Sequence, residues 1–145
     1  MVAALCLASA CAGVPPRTRS SRTALARSIE RSARAYLPGG GSRRTPADCS
    51  DFVQKVFRES DVALPRTSRA MSAVGRPVKT PADLRTADLV FFSNDDTGPG
   101  VGHVGIYLEN GVFIHKSKST GSIRTERLDS DYFRQRYLKA RRVID

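Results

Sequence analysis

Apolar residues recur along this chain first at helical spacing and later at strand spacing, and the change divides it in two. Leu25, Ile29, Ala33 and Tyr36 mark the inner face of a first helix, which Pro38 and Gly39-Gly40-Gly41 stop. Cys49, Phe52, Val53, Val56 and Phe57 fall at i, i+3, i+4, i+7 and i+8, one face of a second helix. Pro46 and Asp48 are helix-start residues, so Cys49 is expected in the first turn, with the helix ending near Ser60-Asp61. Thr67 or Ser68 caps a short third helix through Met71 and Val74, and Gly75 terminates it.

The second half reads as strands. Arg76-Pro77-Val78 suits an edge, and Ala87 to Phe92 is a compact apolar run expected to be buried. Ser93 to Gly102 is a glycine-rich loop leading into a hairpin, His103 to Leu108 and Val112 to His115 around Glu109-Asn110-Gly111. A two-residue Asn-Gly turn would pair Glu109 with Val112 and send the two histidines to opposite faces. A three-residue loop, with Glu109 and Asn110 helical and Gly111 left-handed, pairs Leu108 with Val112. Gly105 then lies opposite His115, and His103 becomes its diagonal neighbour on one face. The second register is the expected one, because it makes chemical sense of the only two histidines. A strand from Ile123 to Leu128, a short helix around Tyr132 to Arg136 capped by Asp129-Ser130-Asp131, and a strand from Leu138 to Ile144 close the chain. The class is α+β, with one domain over residues 23–145.

Residues 1–22 read differently. Val2 to Ala12 is an apolar run too short to span a bilayer and is similar to the later part of a secretory signal. Ala8-Ser9-Ala10-Cys11 resembles a bacterial lipobox, which makes Cys11 the expected lipidation site. Leu7 lies one place further from Cys11 than the usual aliphatic residue, and no Lys or Arg precedes the run. Val14 to Arg22, with Pro15 and Pro16, reads as a tether holding the domain near a membrane.

Composition narrows the chemistry. The 145 residues carry a net charge of +10, mostly as Arg spread along the chain. That favours a polyanion such as an anionic envelope surface, or serves solubility alone. No recognition helix with interleaved aromatics accompanies the Arg residues, so no nucleic-acid partner is expected. Cys6, Cys11 and Cys49 form neither a disulfide framework nor a Cys-x-x-Cys site. At a helix start, unpaired N–H groups and the helix dipole favour a thiolate at Cys49, a candidate nucleophile that needs a histidine base.

The order Asp48-Cys49-Ser50 at a helix start, then Gly102-His103-Val104-Gly105-Ile106-Tyr107, then His115 on the next strand, resembles the NlpC-type cysteine peptidases of bacterial cell walls. Leu64-Pro65-Arg66 and Asp88-Leu89-Val90-Phe91-Phe92 are similar too, and the likeness runs from about Leu25 to the C-terminus. It implies a papain-like fold, a central antiparallel sheet with the nucleophile helix packed on it. The activity implied is hydrolysis of peptidoglycan stem peptides in the cell envelope, often between D-glutamate and diaminopimelate, without a metal or cofactor. Cys49 would be the nucleophile, His103 the base and acid, and His115 the residue orienting His103. Asp48 and Ser50 match positions that help hold the amino end of the stem peptide. Tyr36 stands one step from a family tyrosine thought to help the oxyanion, the place itself being held by Leu37. Asp51 replaces a common glycine, and Thr86-Ala87 replaces the usual Pro-Gly.

Three other readings stay open. The same fold and triad could serve an amidase or acyltransferase, the domain could be a non-catalytic wall-binding module, or Cys49, His103 and His115 could ligate zinc.

Overall fold

The computed structural model describes residues 16–41, 43–94 and 99–145. The apolar run, the lipobox with Cys11, and part of the loop before His103 lie outside the described residues. Thr18 caps the first helix, α1 (Arg19–Arg34), accepting from Ser21 N–H. The helix therefore starts inside the stretch expected to be tether, because Thr18 satisfies an N–H that would otherwise lack a partner. Helix α2 spans Cys49–Arg58 and α3 Ser68–Met71, the latter capped by Thr67. The strands are β1 (Arg76–Val78), β2 (Leu89–Ser93), β3 (Val101–Tyr107), β4 (Val112–Lys116), β5 (Ile123–Arg127) and β6 (Tyr137–Arg142), with α4 (Asp131–Arg136) before the last.

They form one antiparallel sheet in the order β1-β6-β2-β3-β4-β5. Alternate residues of β2 separate its faces. Leu89 and Phe91 join Ile29 and Ala33 of α1, Phe52, Val53, Val56 and Phe57 of α2 and Met71 of α3 in the larger core. Val90 and Phe92 face Phe113, Tyr107 and Phe133 of α4 in a smaller, aromatic-rich one. Each fully buried Phe or Leu contributes about 1.5–3 kcal/mol, so packing rather than intrinsic propensity holds the short elements.

One polar link crosses the sheet where sequence patterning shows nothing. Arg142 of β6 donates from Nε and Nη2 to the two oxygens of Asp88, at 2.8 and 2.7 Å, in a buried pair. Asp88 also accepts from Arg85 N–H at 2.8 Å. The turn before β2 is strained: Ala87 is buried and has φ +74°.

The hairpin has the expected register by a different turn. Ile106 pairs with Ile114 and Tyr107 with Phe113, and Leu108 N–H donates to Val112 O at 2.9 Å. Val112 N–H in turn donates to Glu109 O at 2.9 Å, and both Asn110 (φ +52°) and Gly111 (φ +76°) are left-handed. Asn110 was expected to be helical. Two left-handed central residues are what a type I′ turn requires, and Leu108 and Glu109 together face Val112 as a bulge that shifts the register by one.

Candidate active site

Cys49 opens α2, half-buried against the larger core. Asp48 is the cap: its Oδ1 accepts from Asp51 N–H and from Ser50 Oγ, each at 2.8 Å. Asp51 reaches back, accepting from Ala47 N–H at 2.7 Å, so the residue that replaces glycine locks the helix start from the other side.

Arg66, in the turn before α3, is a part of the site that sequence reading missed. Its Nη2 donates to Asp48 Oδ2 at 2.8 Å, and Nη1 to Asp48 Oδ1 at 3.1 Å and Ser50 Oγ at 2.9 Å. That bidentate contact, with the cap bonds, holds the Asp48 carboxyl well below the usual carboxylate range. The Asp48 and Ser50 side chains expected to hold a substrate amine are thus already joined to each other and to Arg66. The only advance signal was the Leu64-Pro65-Arg66 stretch of the family likeness.

Burial pushes the Cys49 thiol above its ordinary value, and the Asp48 charge adds to this. The backbone N–H groups of Val104, Ser50 and Cys49 itself pull the other way. The helix start was expected to favour a thiolate; desolvation works against it and raises the Cys49 pKa. The Val104 contact places the sulfur against β3 at the residue after His103.

His103 Nε2 and His115 Nδ1 lie 2.8 Å apart. His115 is buried among Phe113 and Phe133, with ring centroids 5.1 and 5.3 Å away, and Phe92 lies 6.1 Å from His103. Burial lowers the His103 pKa to about 4, helped by the Lys118 charge, and that of His115 to about 3, helped by His103 and Arg124. Both rings are neutral at pH 7. Among the described residues, the His103 ring is hydrogen-bonded to His115 and not to Cys49. Gly105 lies level with His115, but the space above it belongs to Phe113: a Cβ there would meet that ring at 2.6 Å.

Tyr36 is directed elsewhere. Its hydroxyl donates to Glu59 at 3.0 Å, just past the far end of α2 from Cys49, and Arg43 lies over its ring. Among the described residues, no group of three or more His, Cys, Asp or Glu side chains is arranged to hold a metal ion. No helix among them is long and apolar enough to cross a membrane.

Comparison with known proteins bears on the family and the fold. Residues 33–142 match the NlpC/P60 family. The chain is 42% identical over 106 residues to the murein DD-endopeptidase MepS/murein LD-carboxypeptidase of Escherichia coli (strain K12), covering 72% of this chain and 54% of that protein. It is 33% identical over 109 residues to the gamma-DL-glutamyl hydrolase of Bacillus subtilis (strain 168), covering 74% and 26%. The chain thus spans about half of the first relative and a quarter of the second. Its fold superposes on the crystal structure of an NlpC/P60 family protein from Bacillus cereus with TM-score 0.71 and 25% identity, covering 83% of this chain and 40% of that one. The papain-like architecture is shared, and this chain belongs to the NlpC/P60 family.

Proposed function

We propose that the domain is a cysteine peptidase that hydrolyses amide bonds in peptidoglycan stem peptides, with Cys49 as nucleophile, His103 as base and acid, and His115 as orienter. The observation that carries this is the 2.8 Å contact between His103 and His115, one residue along β3 from the N–H that touches the Cys49 sulfur. The names of the relatives support the substrate class, murein in one case and a γ-glutamyl bond in the other.

The chemistry starts from a neutral pair. With His103 Nε2–H donating to His115 Nδ1, the lone pair of His103 rests on Nδ1. As the sulfur attacks the scissile carbonyl carbon, Nδ1 takes the thiol proton, so the thiolate forms only as the C–S bond does. The oxyanion forms beside the Cys49 backbone N–H at the start of α2, where the helix dipole favours negative charge. The imidazolium then gives its proton to the leaving amine, and water attacks the thioester with His103 again as base. His115 fixes the tautomer throughout.

The Asp48, Ser50 and Arg66 cluster flanks the acyl side of this site and is suited to a substrate group carrying both donors and acceptors. The bond between D-glutamate and diaminopimelate is the first expected target. Cys11 lipidation would keep the domain at the envelope, where its positive charge favours anionic polymers. Digestion of purified peptidoglycan, with mass spectrometry of the fragments, identifies the bond. Cys49→Ala, which suits the helix, abolishes release; wild-type release by that variant overturns the assignment.

A further inference from the structure

Behind the histidine pair lies a cavity of about 550 Å³, within the range of small-molecule sites. Cys49 does not line it; His103 and His115 do, with Phe92, Phe133, Ser130 and Arg124 among the rest. Among the described residues, His115 Nε2 and Ser130 Oγ are buried polar atoms of this wall with no hydrogen-bond partner. His115 is 4% exposed, and its other nitrogen is already taken by His103. Arg124 sits directly across from His115 in the β4–β5 register, close enough for its charge to be felt by that ring, and is paired at 2.9 Å with Glu126, which also lines the cavity.

A buried donor without an acceptor is costly, so such an atom beside a roomy cavity points to a missing ligand. The proton on His115 decides which ligand. If His103 is to keep Nδ1 as a base, His115 Nδ1 must accept and its proton must sit on Nε2, which leaves a buried N–H without an acceptor in the ring that lines the cavity. Ser130 offers a second donor; Lys118, Arg124 and Arg136 outnumber Glu126 in the lining; and the two Phe rings give an apolar wall. The complement is an acceptor-only anion on a small organic body.

We infer that this cavity takes a carboxylate, held by His115 Nε2–H and Ser130 Oγ–H and facing Arg124. The inference rests on the peptidase reading for its consequence. His103 hands its proton to the leaving amine, so the leaving residue departs on the histidine side of the scissile bond. A leaving amino acid with a free α-carboxylate can place that group behind the histidines. There it locks His115 in the tautomer that keeps His103 basic, so the substrate completes the base that attacks it. A free carboxylate from solution would make the same contacts.

The test pairs two kinds of measurement. Matched stem-type peptides whose leaving residue ends as an acid or as an amide are compared by kcat/KM, with and without added acetate. A carboxylate site predicts about a tenfold or larger preference for the acid, a ratio that Ser130→Ala and Arg124→Gln each reduce severalfold. If acetate restores cleavage of the amide, a free carboxylate fills the site; if it does not, the leaving group itself does. Equal cleavage of acid and amide, unchanged by acetate and by both variants, overturns the proposal. Independently of turnover, nitrogen-15 spectra of Cys49→Ala protein titrated with D-alanine report the ring nitrogens of His115. A saturable shift at Nε2, reduced in the Ser130→Ala background, supports the site even if no peptide is cleaved. No shift, meaning a cavity filled by water only, overturns it.

Discussion

His103 Nε2 meets His115 Nδ1 at 2.8 Å with the two ring planes perpendicular. The contact uses one nitrogen of each ring, so the rings serve different ends. In the proposed mechanism His103 keeps Nδ1 for proton transfer, while His115 Nε2 has no partner among the described residues.

That division predicts unequal losses. His103→Ala removes the base and lowers kcat by about 10²–10⁴-fold. His115→Ala leaves the base in place but frees its ring, so kcat falls less, while His115→Asn, which keeps an acceptor, retains more activity than His115→Ala. Steady-state kinetics on one peptide checks the order His103→Ala, His115→Ala, His115→Asn from worst to best. Equal loss in all three removes the orienting role.

Burial holds both rings neutral below their ordinary value of 6.5, to about 4 and about 3. Between 6.5 and these values the unfolded chain binds more protons than the folded one, so stability rises with pH there. The contribution is fully present above pH 6.5 and is lost as pH falls through about 4. Thermal melts from pH 7.5 to 4 should show a falling Tm, with a shallower slope in His115→Gln. The acid limb of kcat/KM should lie near pH 4, well below that of a solvent-exposed histidine.

Asp48 raises the Cys49 pKa by its charge while capping the helix with its oxygen. Asp48→Asn keeps an acceptor at the cap and removes the charge, leaving Arg66 unneutralised beside the sulfur. The thiol pKa should fall and iodoacetamide should alkylate Cys49 severalfold faster at pH 7. Asp48→Ala also loses the cap, at about 1 kcal/mol, so its melting point drops further than that of Asp48→Asn.

Ala87 occupies a left-handed conformation that costs an L-residue about 1–2 kcal/mol. Ala87→Gly should therefore raise stability, offset in part by the greater chain entropy of glycine, for a net gain of up to about 1 kcal/mol in denaturant unfolding. A destabilised variant would mean that the buried methyl group contributes more than the strain costs.

Gly111→Val strains the hairpin turn by at least about 1–2 kcal/mol, because its φ is +76°. Relief by a one-residue slip would carry His115 to the opposite face, so activity should fall by more than the stability loss explains. Activity that tracks the folded fraction alone would show that the register survives.

Much of this protein is legible from period and turn chemistry. The helical spacing after Cys49 and the cap at Asp48 place the cysteine in the first turn of α2, because both signals are local and agree. The strand patterns place β2 to β6 along the chain for the same reason, but not the insertion of β6 between β1 and β2. The hairpin register was chosen by asking which pairing brings His103 to His115, and the pairing holds although the turn does not: a bulge at Leu108–Glu109 replaces a helical Asn110. Local preference leaves those two turns close in energy, and the burial of Phe113 and Ile114 on opposite faces favours one. What the sequence could not decide is set by desolvation and long-range contact. The helix start promises a thiolate, yet burial of the sulfur raises the Cys49 pKa against the pull of the Val104 N–H. Arg66 reaches Asp48 across 18 positions of chain, and Arg142 reaches Asp88 across 54, with no periodic signal to announce either. The cavity behind His115 exists only because α4 brings Ser130 and Phe133 over a sheet face built from β2 to β5. Charge state and cavity shape depend on everything that packs around a residue, and only the tertiary structure assembles it.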